Sequence, residues 1–168
     1  PRKADGKVAG ASFRDIWNVK GAIARGTALG CMIGVIPGAG ATPGAVIAYG
    51  VEKQVNPRGK EFGTGIEAGL AAPEAAKNAT TGAAMVPLLT LGIPGSAATA
   101  IMLAAMMLQG VNPGPLLFIM DPSMVYTIFA AMIIANVLMI GAGVGVAQMF
   151  STLMRTPPAI LAGFIVIL

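Results

Sequence analysis

Three stretches of this sequence, residues 26–51, 78–120 and 122–154, carry no charged side chain. A helix needs about 20 apolar residues to cross a bilayer. Each stretch is long enough, and 78–120 has room for more. A soluble core helix would keep a polar face, and these stretches show none. The charges are gathered elsewhere: eight in residues 1–25, eight in 52–77, and only Asp121 and Arg155 outside those clusters. Charged residues make up 11% of the 168 and mean hydropathy is +0.77, whereas a soluble domain carries about 25% charged residues. The pattern predicts an all-α integral membrane protein built of transmembrane helices.

What is missing narrows the chemistry. The sequence has no histidine, which removes histidine-based catalysis and histidine-ligated metals. Cys31 stands alone in an apolar run, supports neither a disulfide nor a zinc site, and reads as a small membrane-facing or packing residue. The net charge of +4 comes from Lys and Arg beside apolar stretches, a pattern that suits lipid headgroups and gives no sign of a nucleic-acid partner. The chain begins without Met or a signal-peptide pattern and stops at Leu168 inside an apolar run, so it reads as a segment of a longer protein.

Residues 1–25 are expected to form a cytoplasmic linker and amphipathic helix, and 26–168 the transmembrane part. Residues 1–11 are small and polar, a linker tail. Ser12-Phe-Arg-Asp15 has the form of a capping box. Phe13, Ile16 and Trp17 then share one helical face, as in a helix lying on a membrane surface. Six Lys or Arg residues place 1–25 on the cytoplasmic side. A helix over 26–36 meets Pro37-Gly-Ala-Gly-Ala-Thr-Pro-Gly44, which cannot continue it. Thr42 reads as the N-cap and Pro43 as the first residue of a second helix ending near residue 53.

The charged connection 52–77 holds another capping-box pattern, Thr64-Gly-Ile-Glu67, and Ala72-Pro73-Glu74 reads as a helix start. The apolar helix 78–91 has Pro87 as its expected kink and stops at Gly92-Ile-Pro-Gly-Ser96. Ser96 is expected to cap a helix over 97–108, followed by a turn at 110–115. Asp121 is expected to cap a long helix over 122–154. In it Gly141, Gly143 and Gly145 allow close helix–helix approach, and Asn136 is expected to bond a neighbouring helix rather than substrate. Arg155-Thr-Pro-Pro158 ends that helix before another span.

The two breaks are related. Ile36-Pro-Gly-Ala-Gly-Ala-Thr42 aligns with Ile93-Pro-Gly-Ser-Ala-Ala-Thr99, with five of seven positions identical at an offset of 57. Matched Gly/Pro interruptions in two apolar segments are the sequence signature of a transporter binding site built from discontinuous or re-entrant helices. Unwound backbone in hydrocarbon costs several kcal/mol for each unpaired group, so it persists only where protein or a wet cavity covers it. Helix N-termini at a break present N–H donors and partial positive charge to an anion, and freed carbonyls can ligate a cation. Gly38-Ala-Gly40 is no dinucleotide fingerprint, because Pro43 stands where a third glycine belongs, and no Gly-Lys-Ser/Thr ending marks a P-loop. Basic residues flank 26–51 on both sides and none lies in 109–122. This favours a re-entrant hairpin for 26–51, with 78–108 crossing outward and 122–154 returning.

Six runs together resemble the large membrane subunit of tripartite tricarboxylate transporters. They are Gly34-Val-Ile-Pro-Gly-Ala-Gly-Ala-Thr42, Tyr49-Gly-Val-Glu-Lys53, Phe62-Gly-Thr-Gly65, Ala72-Pro-Glu-Ala-Ala-Lys-Asn-Ala79, Val86-Pro-Leu-Leu-Thr-Leu-Gly-Ile-Pro-Gly-Ser96 and Gly110-Val-Asn-Pro-Gly-Pro115. Their order and spacing fit over nearly the whole chain. The resemblance implies a multi-pass carrier of the bacterial inner membrane that takes up tricarboxylates or related carboxylates by symport with Na⁺ or H⁺. It also implies a small membrane subunit and a periplasmic solute-binding protein as partners. In two places the chain departs from the family pattern: Lys77 stands where an Asn is common, and Gln109 where a His is frequent.

The candidate substrate-binding residues are Gly38, Gly40 and Thr42 of the first break, Gly95, Ser96 and Thr99 of the second, and Asn78 near the mouth. Their N–H, hydroxyl and amide groups suit carboxylates. Thr90, Gly92 and Glu74 are the candidate ion-binding residues: Thr90 and Gly92 offer oxygens to a coupling cation, and Glu74, the acid nearest to these elements, compensates its charge or interacts with Lys77. No cofactor is expected. A non-transporting scaffold subunit and a channel are the competing functions. An enzyme is not expected, since Ser96 has no histidine partner and no acid pair lies in a span.

Overall fold

The computed structural model describes residues 13–153, and every regular element among them is helical. The tail with its Ser12 cap and the span expected after Arg155 lie outside the described residues. Residues 13–125 form one compact unit, and the described residues from Tyr126 onward belong to a second.

Helix α1 (Phe13–Asn18) is short and has no buried residue. Helix α2 (Lys20–Gly34) follows after Val19, so it starts before the apolar stretch. It stops short of Pro37, whose ring disfavours helical backbone in the residue before it. The chain then reverses through Gly38 and Gly40, with φ of 78° and 70°, a region that costs an L side chain about 1–2 kcal/mol. Helix α3 (Ala41–Val55) runs back along α2. Its N-cap is Gly40 and not Thr42: the reversal needs positive φ at the residue before the helix, and glycine supplies it. Thr42 and Pro43 lie in the first turn, where the N–H that proline lacks has no helical partner anyway.

The antiparallel course of α2 and α3 is pinned at their open end. Arg25, near the start of α2, donates from Nε and Nη2 to the two carboxylate oxygens of Glu52, near the end of α3, at 2.7 Å each. Asn56 Nδ2 adds a third bond of 2.7 Å. Glu52 is buried, with 1% of its surface exposed. The Arg25 hydrogen bonds hold its carboxyl below the usual carboxylate range, against the opposing effect of burial. The first break is therefore the tip of a helical hairpin.

Residues 56–67 fold under the hairpin through a 3₁₀ turn (Gly59–Glu61), and buried Phe62 meets the Tyr49 ring edge-on at 5.3 Å. The expected Thr64–Glu67 capping box does not form. Thr64 Oγ1 donates to the Glu61 carbonyl at 2.8 Å, and Glu67, at the N-cap of α4 (Ala68–Ala83), makes no capping bond. Pro73 is inside α4 and not at its start. It forfeits only the bond to the Gly69 carbonyl near the helix beginning, while the turn beside it is held by packing against α2.

That packing is the core of the unit. Gly26, Gly30 and Gly34 of α2 lie directly on Ala72, Ala76 and Thr80 of α4, in matching order, so the two helices run parallel. A Cβ on Gly26 or Gly30 would strike the carbonyl oxygen of Ala72 or Ala76; one on Gly34 would lie 2.6 Å from that of Thr80. Backbones this close exclude even a methyl group, as in small-residue seams of membrane helices. Thr80, 1% exposed, closes the seam by donating to the Gly30 carbonyl at 3.1 Å, and it also abuts Gly44 of α3.

The helical ladder is interrupted at Ala84, before α5 (Met85–Leu91). Pro87 cannot donate to the Ala83 carbonyl, so the bend expected at Pro87 appears three residues earlier. Met85, Leu88 and Leu89 are buried. Gly92 ends α5 in the left-handed region with φ of 68°. Helix α6 (Ala97–Leu108) follows, then a loop and α7 (Leu117–Met120).

Helix α8 (Pro122–Leu153) opens as expected, with Asp121 Oδ1 accepting from the Met124 N–H at 3.0 Å. Its segment Pro122–Gly143, 22 residues with a mean hydropathy of 2.1, is long and apolar enough to cross a membrane. Among the described residues nothing comes within 4 Å of a Cβ at Gly141, Gly143 or Gly145. Asn136 donates to the Met132 carbonyl of its own helix at 2.8 Å instead of to a neighbour.

Candidate functional site

The two broken segments meet. The Gly40 N–H donates to the Gly95 carbonyl at 3.2 Å, joining the hairpin tip to the second break. Gly95 is buried, and a Cβ there would lie 3.0 Å from the Ala84 Cβ. Three points where helical pairing lapses, at Gly38–Gly40, at Ala84 and at Gly92–Gly95, thus converge.

The two helix starts at this junction differ. No side chain caps α3, whose N-cap is a glycine. The start of α6 caps itself. Ser96 Oγ accepts from the Thr99 N–H at 3.3 Å, and Thr99 Oγ1 accepts from the Ser96 N–H at 2.8 Å. The two hydroxyls lie 3.1 Å apart, and Thr99 also donates to the Ser96 carbonyl at 2.9 Å. The sequence repeat is therefore not a structural one to the residue. The caps, Gly40 and Ser96, fall at different repeat positions, and Thr42 is exposed where its counterpart Thr99 is buried.

Gly38, Gly40, Thr42, Gly95, Ser96 and Thr99 all lie at or beside this junction. Gly38 is exposed, and a Cβ there meets nothing within 4 Å. Thr90 Oγ1 donates to the Val86 carbonyl at 2.7 Å within α5, which directs the hydroxyl's own lone pairs away from that bond. Gly92 closes the same helix, and a Cβ there would lie 3.0 Å from the Pro113 carbonyl oxygen. Asn78 is exposed on α4. Glu74 is exposed too and pairs with Lys77 at 3.4 Å. At 1.5 Å per residue, Glu74 is about 15 Å down α4 from Ala84, so it is not brought to the junction. Lys77 is satisfied by that pair, and Gln109, which ends α6, is exposed.

Beside the junction, a cleft of 490 Å³ is walled by the loop after α6, from Gly110 to Asp121. The loop is tied to α5 by the Gly114 N–H, which donates to the Leu89 carbonyl at 3.0 Å. No residue of either break lines this cleft.

Thr80 and Ala84 are the contributors that sequence reasoning missed. The signal was present in the four-residue spacing of Gly26, Gly30 and Gly34, which marks a face for close approach, but nothing local names α4 as its partner.

Residues 2–168 match the family model described as the Tripartite tricarboxylate transporter TctA family. Among curated proteins, the chain is 39% identical over 129 residues to an uncharacterized 52.8 kDa protein in the TAR-I ttuC' 3' region of Agrobacterium vitis, covering 77% of this chain and 26% of the relative. It is 40% identical over 111 residues to an uncharacterized protein in the TAR-II ttuC' 3' region of the same organism, covering 66% of this chain and 46% of the relative. The chain thus spans less than half the length of either relative. No solved structure matches it.

Proposed function

Because this chain belongs to the TctA family of tripartite tricarboxylate transporters, a family of transporters and not of enzymes, we propose that it forms part of the carrier subunit for an organic polycarboxylate. The observation that carries this reading is the contact between the two breaks, Gly40 N–H to Gly95 carbonyl. It gathers two Gly-rich, non-helical segments and two helix starts at one place, as a carboxylate site without buried cations requires.

In this reading the first segment is a re-entrant helical hairpin and the second a discontinuous helix of a multi-pass protein in the bacterial inner membrane. The first substrate carboxylate is received at the uncapped start of α3, by Gly38 and Thr42, with Gly40, whose N–H is already held by the Gly95 carbonyl, shaping the turn. The second carboxylate is received across the junction near Gly95, Ser96 and Thr99, whose hydroxyls are already engaged and must share their bonds. Thr90 and the Gly92 carbonyl form the proposed contact for a coupling Na⁺; neither group titrates, so coupling to H⁺, the alternative, would use another residue. Asn78 serves the approach to the site, and Glu74, paired and remote, stays outside it. A small membrane subunit and a periplasmic binding protein complete the transporter.

Uptake by the full-length subunit with its partners in proteoliposomes tests the proposal. Transport of citrate or a smaller dicarboxylate should require an ion gradient. It should be lost in Gly38→Val and Gly95→Val at normal protein levels. Unchanged uptake in both variants refutes the site, and flux without a gradient at rates above those of carriers points to a channel instead. Absence of substrate binding to the purified protein points to a scaffold.

A further inference from the structure

Helices α6 and α8 carry no charge, whereas α1 carries an apolar face together with Arg14 and Asp15, and Lys20 follows at the start of α2. Phe13, Ile16 and Trp17 are 77%, 47% and 60% exposed. Their i, i+3, i+4 spacing puts them on one helical face. Arg14 is exposed on the same short helix, and Lys20, at the start of α2, places its ammonium 4.1 Å from the centre of the Trp17 ring. A tryptophan with a lysine over its face has an apolar body and a cationic edge, the combination favoured where acyl chains meet headgroups. Arg25 is committed to Glu52 and belongs to the hairpin. The charge balance points the same way. Residues 1–25 hold six basic and two acidic side chains, an excess of four that equals the net charge of the whole chain, +4.

We infer that α1 is an interfacial anchor that binds the anionic headgroup surface of the bilayer. Phe13, Ile16 and Trp17 enter the acyl boundary, and Arg14 and Lys20 pair with lipid phosphates. A six-residue helix buries too little apolar surface to hold by that means alone, so its attachment depends on headgroup charge. Each basic residue near an anionic surface strengthens attachment by about fivefold. The anchor fixes the depth of the α2 start, one residue after α1 ends. This inference requires the chain to be membrane-embedded but is independent of what the junction binds.

The test uses the full-length subunit with Cys31→Ser, any other cysteines replaced, and Ile16→Cys carrying an environment-sensitive fluorophore. It is reconstituted in phosphatidylcholine vesicles with and without phosphatidylglycerol. In the anionic vesicles, headgroup-depth nitroxide lipids should quench the probe more than a water-soluble nitroxide does. That preference should fall with added salt, in phosphatidylcholine alone, and by about an order of magnitude or more in attachment for Arg14→Gln with Lys20→Gln. If that double variant misfolds, as its uptake and elution profile report, the salt and lipid series on the unaltered charges decides. Dominant aqueous quenching overturns the inference, because the face is then in water. Protection from both quenchers overturns it too, because protein then covers the face. Lipid quenching that ignores headgroup charge overturns the anionic specificity. A failure of substrate binding at the junction leaves all these readouts unaffected.

Discussion

Gly30→Ala adds one methyl group at the middle of the α2–α4 seam. The new Cβ would overlap the Ala76 carbonyl oxygen and sit 2.8 Å from both the Ala76 Cα and the Ala79 Cβ. Carbon atoms rest about 3.5–4.0 Å apart, so the helices must separate by about an ångström. Overpacking of this kind costs about 1–3 kcal/mol. The separation also stretches the 3.1 Å bond from Thr80 Oγ1 to the Gly30 carbonyl. A buried hydroxyl left without its partner costs about 1–3 kcal/mol more. Against this stands the intrinsic helix preference of Ala over Gly, about 1 kcal/mol. The sum is a loss of about 1–5 kcal/mol. Gly50→Ala in α3 and Gly82→Ala in α4 are the matched controls, since nothing lies within 4 Å of a Cβ at either position. There only the helix preference acts, and stability should hold or rise by up to about 1 kcal/mol. Thermal unfolding of the detergent-solubilised full-length protein reads all three variants. If Gly30→Ala melts with or above the two controls, the parallel seam is wrong.

Four further outcomes follow from the same geometry. Gly40→Ala forces a side chain into a φ of 70°, at about 1–2 kcal/mol, and should lower both melting temperature and uptake. Ser96→Ala removes the α6 cap and should cost about 1 kcal/mol, read by the same melts. Arg25→Ala leaves the Glu52 carboxylate buried with only Asn56. Because Arg25 is itself 43% exposed and solvent-screened, the loss should be about 2 kcal/mol, below the roughly 3–5 of a fully buried pair. The pH dependence has a defined sign. The Glu52 pKa is lowered in the folded state by the Arg25 hydrogen bonds, so its stabilisation is complete above the ordinary carboxylate range and is lost as pH falls through the depressed value. Melting curves taken from neutral to acid pH should show this acid limb, and Glu52→Gln should flatten it.

Much of the local structure was legible from residue chemistry. Pro37, Gly38 and Gly92 marked the breaks, because a missing N–H and a demand for positive φ act within one turn of chain. The caps at Ser96 and Asp121 were legible for the same reason: a side-chain oxygen reaches only its own helix start. Errors arose where two local signals competed. Thr42 and Gly40 both suited the α3 cap, and the reversal selected glycine. Thr64-Gly-Ile-Glu67 had the form of a capping box, but Thr64 bonded back to Glu61 instead. Pro73 looked like a helix start until packing of Ala72 on Gly26 carried the helix through it.

The sequence by itself determined where the chain can stay helical, where it must break, and which stretches are apolar enough for a bilayer, since these depend on neighbours a few residues apart. Tertiary structure decided the rest. It made the first break a hairpin tip, because Arg25 and Glu52, 27 residues apart, pair across its open end. It set α2 and α4 parallel, because Ala72, Ala76 and Thr80 present surfaces low enough for backbone contact with Gly26, Gly30 and Gly34. It brought Gly40 to Gly95, so two motifs that the repeat only related became one junction. Pairings between distant residues depend on complementary shape and unmet hydrogen bonds, and those exist only once the helices have packed.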